Sequence, residues 1–149
     1  MKIWVDADAT PNAIKEILVK ASWKREIDVV FVANRWMEKP KSSRASAVVV
    51  SAGADVADDH IVEELEAGDL VISADIPLAA RVVEKGGEVL TPYGRELDEE
   101  NVREALSLRD FQQELRDQGV QAGGPPPFSE SHKQTFANAL DRWITKAKR

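Results

Sequence analysis

The chain has 149 residues, of which 43% are apolar, enough to bury a core without disulfides or a structural metal. Its 20 Lys and Arg against 26 Asp and Glu leave a net charge of −6, which argues against a polycation that coats nucleic acid along its whole surface. Cys is absent and the only imidazoles are His60 and His132, so thiolate nucleophiles, zinc–thiolate centres, iron–sulfur clusters and His-rich metal sites are excluded. Any metal has to rest on carboxylates, which selects a hard cation such as Mg²⁺ or Mn²⁺. The opening segment carries Asp6, Asp8, Lys15 and Glu16 and does not read as a signal peptide, and no apolar run is long enough to span a membrane. The expected location is the cytoplasm, with no membrane contact.

Ile3, Trp4 and Val5 form an apolar run that stops at Asp6. Thr10-Pro11 then supplies an N-cap and a first helical position, and Ile14, Ile17, Leu18 and Ala21 follow at helical spacing. The same alternation recurs. Val29 to Ala33 and Val48 to Val50 read as strands, Ile61, Val62 and Leu65 as a helix face, and Leu70 to Ile72 as a fourth strand. Leu78, Ala79, Val82 and Val83 give another helix face and Val89-Leu90 a short fifth strand. Unbroken apolar runs mark strands covered on both faces. Strand and helix in alternation predict a mostly parallel sheet of about five strands in a three-layer α/β/α sandwich.

From about residue 98 the chain reads as helical. Ser107-Leu-Arg-Asp110 has the look of a capping box opening a helix that carries Phe111 and Leu115, while Phe136, Leu140, Trp143 and Ile144 line the last helix. Gly119 to Phe128, with Gly123-Gly-Pro-Pro-Pro127, reads as a loop between them. No internal repeat or second domain is visible, so residues 1–149 read as one domain.

Charge is unevenly spread. From Asp55 through Asp75 there are eight acids and no Lys or Arg, whereas the loop from Asn34 to Arg44 carries Arg35, Lys39, Lys41 and Arg44 against Glu38 alone. The chain ends on a second basic stretch, Arg142, Lys146, Lys148 and Arg149. Acids beside basic segments suit a metal site that handles a phosphate-bearing substrate.

Asp6 and Asp8 lie at the carboxyl end of the first strand, and residues two apart in extended chain point the same way. Asp75 closes the fourth strand, and Asp58 and Asp59 open the helix bearing Ile61 and Leu65. In an open parallel sheet the loops at the carboxyl ends converge on one crevice, so three segments bring carboxylates together there. Clustered carboxylates raise one another's pKa unless a cation neutralises them. Two divalent ions about 4 Å apart bind a phosphodiester and activate water for in-line attack. Capping is the competing reading for Asp8, Asp58, Asp59 and Asp75. It serves Asp6 poorly, because that residue interrupts an apolar strand well before Pro11. Glu63, Glu64 and Glu66 read as a solvated helix face. Trp36 either stacks on a base or, the preferred reading, packs back on the domain, and His60 and His132 read as surface residues rather than ligands.

Two families share the opening motif. Asp6-Ala-Asp8-Ala-Thr10 resembles the DxDxT pattern of haloacid-dehalogenase-type phosphotransferases, which implies Asp6 as nucleophile and Asp8 as general acid. In that family a Lys and a further acidic motif follow the Ser/Thr strand, whereas here Asp58-Asp59 precede Ser73 and no well-placed Lys follows. A longer set resembles the YaiI/YqxD family of bacterial proteins over nearly the whole chain. It comprises Trp4 to Ile17, Val32-Ala-Asn34, Gly53 to Asp59, Gly68 to Ala79, Thr91-Pro-Tyr-Gly94 and Gly123-Gly-Pro125. The resemblance implies a PIN-like fold, whose active members are Mg²⁺- or Mn²⁺-dependent nucleases with acids at the ends of strands one and four and near an intervening helix. Carried over, those positions are Asp6, Asp58 or Asp59, and Asp75. Thr10 stands where the family usually has Cys, and Pro77 where many PIN nucleases carry a further acid, so the metal site is either one ligand short or completed by Asp8.

The resulting expectation is divalent-metal-dependent phosphodiester hydrolysis, with RNA favoured over DNA. Asp6, Asp8 and Asp75 are the catalytic candidates, and Asp6, Asp8, Asp58, Asp59 and Asp75 hold Mg²⁺ or Mn²⁺. Asn34 and Ser73 bond metal-bound water or phosphate, and Arg35, Lys39, Lys41 and Arg44 hold the backbone. The alternatives are a phosphatase using Asp6 covalently and a catalytically silent nucleic-acid-binding module.

Overall fold

The apolar run at the start of the chain becomes the middle of a sheet. The computed structural model describes residues 1–53, 55–120 and 127–148. Its elements in chain order are β1 (Lys2–Asp6), α1 (Asn12–Lys24), β2 (Asp28–Ala33), β3 (Ala45–Val49), α2 (Val56–Glu64), β4 (Leu70–Ile72), α3 (Ile76–Glu84), β5 (Glu88–Leu90), β6 (Glu96–Leu97), α4 (Val102–Asp117) and α5 (Glu130–Ala147). The strands lie in the order β3-β2-β1-β4-β5-β6. All neighbours are parallel except β5 and β6, and Trp4 pairs with Val30 on one side and Val71 on the other.

Successive strand side chains point to opposite faces, and here both faces are covered, so the strands can be apolar throughout. Ile3 and Val5 of β1, with Val29, Phe31, Leu70 and Ile72, meet Ile14 and Leu18 of α1 and Phe136, Leu140 and Ile144 of α5. Trp4, Val30, Val32 and Val71 meet Ile61 of α2, Leu78 and Val82 of α3, and Val102 and Ala105 of α4. The fold is therefore a three-layer α/β/α sandwich, with the first and last helices on one side and the three middle helices on the other. Each fully buried Leu, Ile or Phe contributes roughly 1.5–3 kcal/mol, so the two apolar layers dominate the stability.

Three local departures from the sequence expectation have physical reasons. A sixth strand, β6, is only two residues long and too short to show periodicity. It pairs antiparallel because the chain reverses at Thr91–Arg95, where Gly94 adopts φ +92° and its N–H donates to Thr91 O at 2.9 Å. Helix α4 starts at Val102, ahead of Ser107. Its start is set by reciprocal bonds: Asp98 Oδ1 accepts from Glu100 N and Asn101 N, and Asn101 Oδ1 accepts from Asp98 N. Ser107 to Asp110 therefore lie within the helix, and Phe111 is exposed. Finally, α1 begins at Asn12, and the Thr10 hydroxyl donates to Asp6 O at 2.7 Å instead of capping the helix. Of the loop expected at Gly119 to Phe128, residues 121–126 lie outside the described residues, as does Arg149. No helix among the described residues is long and apolar enough to cross a membrane.

The connection from β2 to β3, residues 34–44, crosses from the carboxyl to the amino end of the sheet without a helix. It runs over the α1 face, where Met37 packs against the core.

Candidate active site at the carboxyl end of the sheet

The chain leaves β1 toward β2 and β3, then returns to place β4 on the other side of β1. This reversal opens a crevice beyond the carboxyl end of β1, between the loops that follow its two neighbours, where open α/β sheets bind their ligands.

Asp6, the last residue of β1, lies at the floor of the crevice and is only 8% exposed. Ser73 Oγ donates to Asp6 Oδ2 at 3.1 Å and accepts from Asp75 N at 3.0 Å, linking the ends of β1 and β4. Burial pushes the Asp6 carboxyl above its ordinary pKa, the Ser73 bond lowers it, and the charges of Asp75 and Asp8 raise it again. Asp58 enters from the first turn of α2. Its pKa is raised to about 6, first by burial and then by Asp75, Asp6 and Asp55, with Arg81 opposing. Three acids from three elements thus share one electrostatic environment.

Asp75 is also a cap. Its Oδ1 accepts from Leu78 N at 3.0 Å at the start of α3, three residues past the end of β4 rather than within it, so the capping reading is realised while its charge also bears on Asp6 and Asp58. Asp59 turns toward Arg81 Nη1, 2.9 Å away, while Asp58 is the member of the pair coupled to Asp6 and Asp75. Asp8 does not continue the extended chain, because the backbone enters a 3-10 turn at Ala7–Ala9 and the two-residue alternation ends at Asp6. Its Oδ2 accepts from Asn34 N at 2.6 Å, and its Oδ1 lies 3.6 Å from Arg35 Nε. The Asn34 side chain is occupied by Ser51 O and Gly53 O, at 3.4 and 3.3 Å, and tethers the segment that leads into α2.

The basic loop is strung along the sheet rather than gathered at the crevice. Arg35 stands beside Asp8 and is 84% exposed. Lys39 and Lys41 lie farther along, against α1. Arg44 sits at the amino end of the sheet, with Nη2 donating to Glu26 O at 3.0 Å and Nε 3.5 Å from Asp28 Oδ1. Trp36 does not pack back on the domain, for it is 81% exposed. His60 meets the edge of the Trp4 ring, and His132 accepts from Ser129 N at 3.1 Å while contacting Tyr93 and Phe128.

Two charged residues with defined roles escaped the sequence reading. Asp69, within the acidic run, is buried, and its carboxylate accepts from Lys2 N, Trp4 Nε1 and Glu66 N at 2.9–3.0 Å. It organises the amino end of the sheet and takes no part in the crevice. Arg81 is the first Lys or Arg after the acidic run, and that position is the cue to its pairing with Asp59.

A carboxylate-only donor set suits a hard cation. Among the described residues no three His, Cys, Asp or Glu side chains form a ready ligand group. Mg²⁺ does not require one, since it keeps several waters and is held by one or two carboxylates together with substrate phosphate. Asp6 and Asp58, both held above their ordinary pKa in part by like charge, fit such an ion.

Fold and crevice together define a three-layer α/β protein with an acidic site at its topological switch point. The chain belongs to the YaiI/YqxD family, whose model, described as "Uncharacterized BCR, YaiI/YqxD family", matches residues 4–146. A UPF0178 protein of Desulfotalea psychrophila, DP1304, is 59% identical over 146 residues, covering 98% of this chain and 99% of that protein. A UPF0178 protein of Saccharophagus degradans is 53% identical over 146 residues, covering 98% and 97%. Among solved structures, the chain aligns with Rae1 (YacP) from Bacillus subtilis at 16% identity and a TM-score of 0.38, covering 99% of both chains. A likeness that low carries no argument about fold or function.

Proposed function

We infer that the chain hydrolyses phosphodiesters with the help of Mg²⁺ or Mn²⁺, acting on nucleic acid, with RNA favoured over DNA. The observation that carries this reading is the meeting of Asp6, Asp58 and Asp75, from three separate elements, at the switch-point crevice. Asp6 and Asp58 would hold the cation, with Asp75 and Asp8 at its margin. When bound, the ion supplies neutralisation of the phosphate and a more acidic water. Ser73 holds Asp6 in place through its hydroxyl, and Asp75 through its own backbone N–H. The like charges that raise Asp58 are ones a bound cation would offset, holding its carboxylate ionised. Arg35, exposed at the rim beside Asp8, is free to meet a phosphate oxygen.

The test is incubation of the purified chain with labelled single-stranded and structured RNAs in Mg²⁺, Mn²⁺ or EDTA, with Asp6→Asn alongside. Cleavage that needs the metal and is lost in Asp6→Asn, while the circular dichroism spectrum is unchanged, supports the reading. Intact RNA across several sequences overturns it in favour of a binding role, and a phospho-aspartyl adduct at Asp6 would assign the chain to the phosphatase alternative.

A further inference from the structure

A groove runs between α1 and the helix-free crossover that follows β2. One wall is a stripe of that helix, from Asn12 through Lys15 and Lys20 to Trp23. The other is the helix-free crossover, which contributes Met37, Lys39 and Lys41. The helical stripe recurs at three- to five-residue intervals and so stays on one side of α1 for about 16 Å, at roughly 1.5 Å per residue. One end of the groove is at Asn12, the first residue of α1 and four residues along the chain from Asp8.

The lining is basic in a chain that is acidic overall. Four lysines face Glu16 and Glu38, against a net charge of −6 for the whole molecule. A large aromatic ring of the lining stands in water, for Trp23 is 54% exposed. Lys24 Nζ, 5.6 Å from the Trp23 ring centroid, adds a further cation beside that ring. Lysines spaced along a channel serve a repeating anion, and an exposed ring among them serves a partner with flat faces. An acidic peptide has the first property and lacks the second.

We propose that this groove binds one strand of unpaired nucleic acid. Its phosphates lie on Lys15, Lys20, Lys39 and Lys41, and a base stacks on Trp23. The proposal rests on the reading of the crevice as a phosphodiesterase for its purpose, but binding is measured separately from cleavage.

The experiment is fluorescence anisotropy of end-labelled oligo-U RNA and oligo-dT DNA with the full chain in EDTA, repeated over a range of salt. Trp23→Ala is expected to weaken binding about tenfold, while Trp23→Phe keeps most of it. Lys20→Gln combined with Lys41→Gln is expected to lower the slope of log K against log salt by roughly 1.4, about 0.7 for each lost phosphate contact. These side chains are exposed, so the variants fold. Unchanged affinity and slope overturn the groove even if the wild type cleaves RNA, in which case the crevice reading stands without it. Loss of binding in both variants, in a protein that cleaves nothing, supports the groove and removes the crevice reading. Displacement of RNA by poly-glutamate as effective as that by oligo-U, together with a silent Trp23→Ala, marks the groove as an acidic-peptide surface and overturns the proposal.

Discussion

Asp58→Asn separates a repulsive carboxylate cluster from an ordinary helix start by the sign of its effect. A carboxyl whose midpoint rises from 3.8 to about 6 on folding binds its proton more tightly in the folded state. Its contribution is fully present below about pH 4 and is lost as pH rises through about 6, because ionisation then opposes the fold. At the full shift this would be about 3 kcal/mol; solvent screening of the partly exposed side chain reduces it to about 1–2 kcal/mol. Against this stands the position of Asp58 in the first turn of α2, where a negative charge is worth about 0.3–1 kcal/mol. Asp58→Asn is therefore expected to stabilise the protein by about 1 kcal/mol in EDTA at pH 7.5, an advantage that disappears at pH 4. Urea unfolding at both pH values measures it. Mg²⁺ at about ten times its dissociation constant should add roughly 1.4 kcal/mol to the wild type and less to the variant. A variant less stable than wild type at pH 7.5 in EDTA would refute the cluster, since an acid serving only the helix N-terminus gives that result.

Asp75 admits a paired test, because Asn caps a helix about as well as Asp but carries no charge. Asp75→Ala should cost about 0.5–2 kcal/mol through loss of the bond to Leu78 N, whereas Asp75→Asn should match or exceed wild type in EDTA; equal losses would sink the repulsion argument. Asp69→Ala leaves the N–H groups of Lys2, Trp4 and Glu66 without their acceptor and should cost about 3 kcal/mol by chemical denaturation; a loss under about 1 kcal/mol would mean these donors find other partners. A methyl at Gly94 would lie 2.5 Å from Thr135 Cγ2 and 2.9 Å from Phe136 N, at φ +92°. Gly94→Ala should therefore lower stability by about 2 kcal/mol or more, and an unchanged Tm would show that α5 is not seated against this turn.

The layers of the fold were legible because both faces of the central strands are buried, which writes them as unbroken apolar runs with helix faces between. Strand order then turns sequence position into place: Asp6 ends β1 and Asp75 follows the end of the neighbouring β4, so their proximity followed from topology. Rotation within a helix is a different matter. Asp58 and Asp59 differ by about 100° around α2, and which of them turns inward depends on Arg81, a residue of another helix. Arg44 sat with the basic loop in sequence, yet a crossover between parallel strands must travel the length of the sheet, so the loop's first and last cations lie at opposite ends. Asp69 looked like one more acid in an acidic run because its role depends on Lys2 and Trp4, whose chain distance from it conceals their contact. Trp36 is the reverse case, since exposure of a large ring runs against its composition-based expectation and is visible only in three dimensions.

The seating of α5 has a bearing on how the molecule is made. Its Phe136, Leu140 and Ile144 complete the apolar layer beside α1, and its Trp143 bonds Glu88 of β5. Roughly 55 residues separate the end of β5 from the end of α5, about 3–11 s of translation at roughly 5–20 residues per second. Throughout that interval the nascent sheet presents an apolar face that α1 covers only in part. A premature stop after β6 would thus remove a wall of the core, leaving a fragment prone to aggregate.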